Sequence, residues 1–387
     1  MITMEQGSFT YANPSSIYWG ADCVSERLRN VLDTFGGHRI FVVTTRSVAG
    51  NVNLLGLIQQ LLGSRLAGSF AQIGQHAPAR DVVAATAAAR DTGPDVLLSI
   101  GGGSPIDATK AVAFCLATGL DLTEPDAPIR ARELGARLGP SGLLPHVAIP
   151  TTLSVAELSF LSGFSAEGSR EKIGLRLPAL LPAAVLYDAT LTLETPLDLW
   201  LATGMRAVDH AVEGIIADGR HPFSDTLALD GLRRLKAGLL ATHASPTDLE
   251  ARTDSQLGAW FSFTLPVAAA GGLSHTLGKR LGSPHGIPHG ITSCLLLPHV
   301  MRYLAPRTAP AQARIAAALG VDVAGLPVEA AAQRAADAVA DLIAQLGLPR
   351  QLGAYKLTEE HLLEAVRPVA SAEYPAEDLL GILHVAW

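Results

Sequence analysis

A chain of 387 residues is too long for one ordinary core and suits two domains of roughly 100–200 residues each, with a cleft for a small substrate expected between them. Apolar residues at 48% and charged residues at 17% are ordinary for a globular protein, and a net charge of −7 without any basic block excludes nucleic acid and anionic membrane as expected partners. Cys23, Cys115 and Cys294 lie far apart with no C-x-x-C spacing, which argues against a disulfide framework or a thiolate zinc site. No signal-like or membrane-length apolar run is visible, so a cytoplasmic protein is expected.

In chain order, Ile40 to Thr45 is short, apolar and β-branched, a pattern that predicts a strand buried on both faces, ending at Thr45. Leu54 to Leu62 follows helical spacing, and Val82 to Arg90 is Ala-rich and helical. After the Thr92-Gly93-Pro94 break comes a second buried strand, Val96 to Ile100, and the alternation predicts a parallel α/β sheet. Pro105 to Leu116 resumes helical character, with Pro105 in the first turn, where a missing N–H costs nothing. Residues 121–142, rich in Pro, Arg and Gly, read as a long loop before the next strand, His146 to Ile149. A further strand is expected at Ala184 to Leu186. Beyond Asp188 strand signals fade, and Asp198 to Ala217, Ser224 to Ala241, Asp248 to Ala270 and Val328 to Leu346 read as helices. The expected architecture is a Rossmann-like parallel α/β domain over residues 1–190, followed by a helical domain over 191–387.

A strand ending in Gly101-Gly102-Gly103-Ser104 and turning into a helix is a recipe for binding phosphate. Glycines let the backbone approach a ligand, and a helix N-terminus offers N–H groups and a positive dipole end. Asp107 and Lys110 follow on the next turns. The glycines alone are also compatible with a plain strand–helix turn, since the pattern is neither G-x-G-x-x-G nor a P-loop. Thr151 and Thr152 at the next strand end add two hydroxyls at what should be the same sheet edge, where ligands of parallel sheets gather.

The run Gly101 to Lys110, followed by Ile149-Pro150-Thr151-Thr152, resembles the iron-containing alcohol dehydrogenase superfamily, and within it the maleylacetate reductase branch. Further matches are Phe9-Thr10-Tyr11, Leu186-Tyr187-Asp188, Thr203-Gly204-Met205, His210-Ala211-Val212-Glu213, Pro288-His289-Gly290 and Leu297-Pro298-His299. The resemblance implies a dehydroquinate-synthase-like fold, NAD or NADP held by the N-terminal domain, hydride transfer to or from a carbonyl carbon, and a homodimer. It also offers Lys172 as a cofactor contact. Thr45 and Arg46 stand where members preferring NAD often carry an acidic residue, so a 2′-phosphate would not be repelled and NADPH is tolerable.

Members that hold iron or zinc use an Asp, a His four residues later, and two further His with thirteen residues between them. Here His210, His275 and His289 match the histidines, but the Asp position is Arg206. A guanidinium there replaces a negative ligand with a fixed positive charge. At about 4 Å and an effective dielectric near 20, two unit charges interact by about 4 kcal/mol, roughly doubled for a divalent ion. Asp209 points about 100° around the helix from His210 and is a poor replacement. Divalent metal is therefore not expected; if one binds, its ligands are His210, His275 and His289. A second departure is Lys279, four residues after His275, where alcohol-oxidising members place another histidine.

The sequence thus predicts an NAD(P)H-dependent reductase of a carbonyl or activated alkene on a small, carboxylate-bearing substrate, with Arg206, His210, His275, Lys279 and His289 as catalytic candidates. Arg206 would grip a carboxylate or polarise the carbonyl, and a histidine or Lys279 would give the proton. The competing reading of Arg206 is an ion pair with Asp209 or Glu213 on its own helix. His285 reads as a loop histidine without a catalytic task, and Cys294 as core. Rival functions are a metal-dependent alcohol dehydrogenase with three His ligands, a non-redox lyase or isomerase on the same fold, and a cofactor-binding module without catalysis.

Overall fold

The structure is a computed structural model that describes residues 14–138, 142–165, 172–217, 221–263 and 271–387. It divides into two compact units. One runs to Trp200 and takes back Pro246–Gln256; the other holds Leu201–Ser245 and Leu257–Trp387.

The first unit is built on β1 (Ser16–Trp19), α1 (Cys23–Thr34), β2 (Ile40–Val43), α2 (Arg46–Ala49), α3 (Val52–Leu62), β3 (Leu66–Phe70), α4 (Ala79–Thr92), β4 (Val96–Gly101), α5 (Gly103–Thr118), α6 (Ala127–Arg137), β5 (His146–Pro150), β6 (Leu161–Ser165), β7 (Lys172–Arg176) and β8 (Ala184–Tyr187). Six of these strands form one sheet in the order β1-β8-β5-β4-β2-β3, every pairing parallel. The four inner strands β2, β4, β5 and β8 are largely apolar because both faces are covered, whereas the edge strands β1 and β3 are only half-buried. Ile40 and Val42 point into a core with Leu28, Leu32 and Ile58, while Phe41 and Val43 point the other way, into one with Val82, Ala85 and Phe114. That is the two-residue period of a pleated strand. Register places Gly101 of β4 beside Pro150 of β5, so the glycine turn and the Thr151-Thr152 pair leave neighbouring strands at the same edge.

Three local expectations are corrected. Residues 121–142 are not one long loop, since α6 fills Ala127–Arg137; Pro128 sits in its first turn, where proline is compatible with a helix. The strand expected to end at Thr45 stops at Val43, and Thr45 instead caps α2, its hydroxyl accepting the Val48 N–H at 3.3 Å. A β-branched residue looks strand-like in sequence, but a threonine hydroxyl serves equally well as a helix cap. His285 closes a helix rather than lying in a loop. The antiparallel pair β6–β7 was not anticipated.

The second unit is helical: most of α7 (Leu197–Ile216), then α8 (Pro222–Ala244), the end of α9 (Leu249–Ser262), α10 (Leu273–His285), α11 (His289–Ala318), α12 (Val328–Gln345), α13 (Glu359–Val366) and α14 (Ala376–Val385). The helix expected to reach Ala270 ends at Ser262, and residues 264–270 lie outside the described residues, as does the Phe9-Thr10-Tyr11 match. Leu277 and Leu281 of α10, Leu295, Leu296 and Val300 of α11, Leu362 of α13 and Leu379 and Leu383 of α14 share one buried core. Gly290 lets α11 approach α7 very closely, because a Cβ there would lie 2.1 Å from the Ala202 carbonyl oxygen.

Candidate functional site

In the α/β unit the turn from β4 into α5 requires its glycines. Gly101 has φ +134, and a Cβ on it would stand 2.8 Å from Pro105. A Cβ on Gly102 would come within 3.1 Å of Thr152, and one on Gly103 within 3.2 Å of the Ser154 hydroxyl. No side chain caps the start of α5 among the described residues, so its first N–H groups and positive dipole end remain for an anion. The Thr152 and Ser154 hydroxyls are buried and without a hydrogen-bond partner among the described residues. Buried hydroxyls ordinarily have partners, and a ligand at this turn would supply them. Ser104 Oγ accepts the His76 N–H at 3.0 Å, which leaves its own hydrogen to be donated. Glycine backbone, helix end and hydroxyls together fit the phosphates of a dinucleotide.

Asp107 and Lys110, by contrast, are engaged within the protein. The Lys110 ammonium is fully buried and donates to the carbonyls of Ala156 (2.6 Å) and Leu161 (2.7 Å) and to Asp107 (3.2 Å). They tie α5 to the turn at Ala156 and to β6. Burial lowers Lys110, and the Asp107 carboxylate partly restores it. Glu157, overlooked in the sequence, is buried against the Tyr187 hydroxyl at 2.8 Å, and burial pushes it up to about 7. Thr151 joins neighbours through its backbone: its N–H donates to Gly101 and its carbonyl accepts from Thr195 Oγ1. The Lys172 side chain lies outside the described residues.

In the helical unit Arg206, Asp209, His210 and Glu213 share one buried face of α7, as the helical spacing i, i+3, i+4 and i+7 dictates. The Arg206 guanidinium donates to Asp209 (3.2 Å), to Ser293 Oγ of α11 (2.9 Å) and to the His275 ring of α10, at 2.8 Å from Nε2 and also against Nδ1. The Asp209 carboxylate also accepts from Ser293 (2.6 Å) and Ser274 (3.2 Å). Arg206 thus makes the ion pair weighed as its competing reading. Burial draws both partners toward their neutral forms, and their mutual attraction opposes it. His275 and His210 are held well below the usual histidine range, by burial first and the Arg206 charge second. A neutral His275 is what the geometry demands, since its ring must accept from a guanidinium. The His210 and His275 ring centroids are 5.2 Å apart, and Phe263 meets His210 edge-on at 5.0 Å. His289 opens α11.

Glu213 reaches the first turn of α10, accepting the N–H groups of Gly272 (2.8 Å), Ser274 (2.7 Å) and His275 (3.2 Å). Burial, then the Asp209 carboxylate, push it up to about 8. Lys279 stands one turn beyond His275 and is exposed, with no hydrogen bond or ion pair among the described residues. Partial desolvation of its ammonium by the surrounding protein, with the Arg206 charge second, lowers it.

The Arg206 guanidinium occupies the His275 lone pair that a cation would need, and among the described residues no group of three or more His, Cys, Asp and Glu is arranged to hold a metal. Sequence reasoning missed Ser154, Glu157, Ser274 and Ser293, and gave Asp209 and Glu213 no role beyond pairing. Helical spacing from Arg206 signalled the last two, and Glu213 also closes the matched stretch His210-Ala211-Val212-Glu213.

Family comparison agrees with this layout. Residues 14–189 match the model "Iron-containing alcohol dehydrogenase", and residues 200–377 match "Fe-containing alcohol dehydrogenase family, C-terminal". A maleylacetate reductase of Sphingobium indicum is 32% identical over 340 residues, covering 87% of this chain and 86% of that protein. One from Burkholderia cepacia is 29% identical over 371 residues, covering 91% and 96%. The crystal structure of maleylacetate reductase from Agrobacterium tumefaciens superimposes with a TM-score of 0.81 at 27% identity, covering 99% of each chain. The chain therefore belongs to the iron-containing alcohol dehydrogenase superfamily, on the side of its maleylacetate reductases, and is an NAD(P)-dependent oxidoreductase acting on a small substrate.

Proposed function

We propose that this enzyme reduces the carbonyl or activated alkene of a small carboxylate-bearing substrate without a divalent metal, as the maleylacetate reductases that it resembles act on maleylacetate by name. The observation that carries the reading is the Arg206 guanidinium lodged between Asp209 and the His275 ring. The nicotinamide, when bound, supplies the hydride. Gly101, Gly102, Gly103, Ser104 and Thr152 hold its phosphates, with Thr45, Asp107, Thr151 and Lys172 as secondary candidates.

Arg206 is committed to internal bonds, so the cation available to an anionic substrate is Lys279. Its lowered proton affinity suits it to place a proton on the substrate oxygen as hydride reaches the carbon. His275, held neutral by Arg206, and His210 and His289 shape the polar wall around it. This moves the carboxylate-binding role expected for Arg206 to Lys279 and keeps Arg206 as the fixed charge that excludes a metal.

The test combines metal analysis with turnover. Purified enzyme is expected to oxidise NADH or NADPH with oxo-dicarboxylates and to keep its activity in excess chelator. Lys279→Met should lower kcat by about 100-fold, as loss of a general acid does, with cofactor affinity unchanged. Stoichiometric zinc or iron, removed together with activity by the chelator, would overturn the metal-free reading.

A further inference from the structure

The start of α10 is capped from another helix. An α-helix begins with four N–H groups that lack intrahelical partners, and they are usually met by the side chain just before it. Gly272 holds that place in α10 and has no side chain to offer. Glu213 of α7 fills the role instead, taking the N–H groups of Gly272, Ser274 and His275 with its two carboxyl oxygens. The two glycines before α10 make this possible. A Cβ on Gly272 would lie 2.5 Å from the Glu213 carboxyl, and Gly271, at φ +70, would put one 2.7 Å from the His275 ring. Because His275 is itself among the capped residues, Glu213 holds the backbone from which its ring reaches Arg206.

We infer that Glu213 is a positioning residue for the reaction: by capping α10 across the helix–helix contact it sets where His275, and Lys279 one turn on, are presented. The inference rests on the proposed role of these two side chains. Asp209 adds a second tie from α7, through Ser274 of α10 and Ser293 of α11, so two carboxyl groups and one guanidinium of α7 fasten the helices that carry the matched histidines. A purely structural role for Glu213 would lower stability and leave turnover alone.

The experiment follows amide hydrogen exchange and steady-state kinetics of the full chain loaded with NADPH, comparing wild type with Glu213→Gln, Glu213→Asp and Gly272→Ala. Loss of this three-bond cap should speed exchange in peptides spanning residues 271–279 by about tenfold or more, leaving the β4–α5 peptides unchanged. For Glu213→Gln and Gly272→Ala, kcat with an oxo-dicarboxylate should fall by about tenfold or more while the Kd for NADPH stays within about twofold; Glu213→Asp should recover part of the loss. Unchanged exchange at residues 271–279 would overturn the inference, and so would unchanged kcat alongside a lowered melting temperature. If Glu213→Gln fails to fold, Gly272→Ala reads the same cap from the other side. Should wild type oxidise NADPH with no oxo-dicarboxylate, the proposed function fails while the exchange measurement still reads the cap.

Discussion

At the scale of single residues, Arg206 has the largest consequences. A guanidinium buried beside Asp209 is tolerable only because the carboxylate, Ser293 and His275 take its N–H groups. Arg206→Ala would leave Asp209 buried and uncompensated, and breaking a buried pair from one side costs about 3–5 kcal/mol. Urea unfolding should show a loss of that order, and Arg206→Met combined with Asp209→Leu should recover much of it. Should Arg206→Ala unfold like wild type, the pair contributes little. The departure at Arg206 was legible in the sequence, because the flanking histidine matches located the missing ligand. What the arginine would hold was not legible, because its partners Ser293 and His275 come from other helices, 87 and 69 residues further along the chain.

At the scale of elements, glycine decides which helices can touch. Gly290 seats α11 on α7 with no room for a Cβ. Gly290→Ala should therefore part the two helices at the level of Ser293, destabilising the protein by about 1–3 kcal/mol or more, the usual range for overpacking. Denaturant unfolding checks the loss; a variant as stable as wild type would mean that the contact is looser than it looks. The inner strands of the sheet were legible in sequence because strands buried on both faces announce themselves as short apolar runs, whereas the half-buried edge strands β1 and β3 were missed. Helices α10, α11, α13 and α14 went unnamed. Pro284 lies inside α10, and Pro298, Pro306 and Pro310 inside α11, where prolines read as breaks; packing on the shared leucine core outweighs the lost bonds. Helix α6 was taken for loop for a similar reason, since its Arg- and Gly-containing sequence shows little apolar periodicity.

At the scale of the whole molecule, buried ionisable groups make stability depend on pH. Glu157 is raised from 4.5 to about 7 and Glu213 to about 8, so in the folded state both hold protons that the unfolded chain releases. Their contribution is present below about pH 4.5 and is lost as pH rises through the folded values. His146, lowered to about 3 by burial, acts oppositely: its contribution is present above pH 6.5 and is lost as pH falls toward 3. Above pH 6.5 the histidine contribution is complete while those of Glu157 and Glu213 still fall, opposed by the buried Lys110, whose lowered proton affinity favours the folded state more as pH rises, so the two acids should pull the melting temperature down from there to about pH 8.5. Glu157→Gln should flatten part of that decline, its stability relative to wild type rising by about 3 kcal/mol at most between pH 5 and 8. A Glu157→Gln difference from wild type that stays flat over this range would refute the assignment.

The sequence by itself determined the parallel α/β architecture, the glycine turn and the family, because each is written in local pattern: apolar runs, glycine spacing and ordered motifs. Only the tertiary structure decided that Asp107 and Lys110 are consumed inside the protein, that Arg206 faces Asp209 and His275, and that Glu213 caps a helix it does not belong to. Those facts depend on which distant backbone or side-chain group comes within about 3 Å of a charge, and chain order carries no such distance.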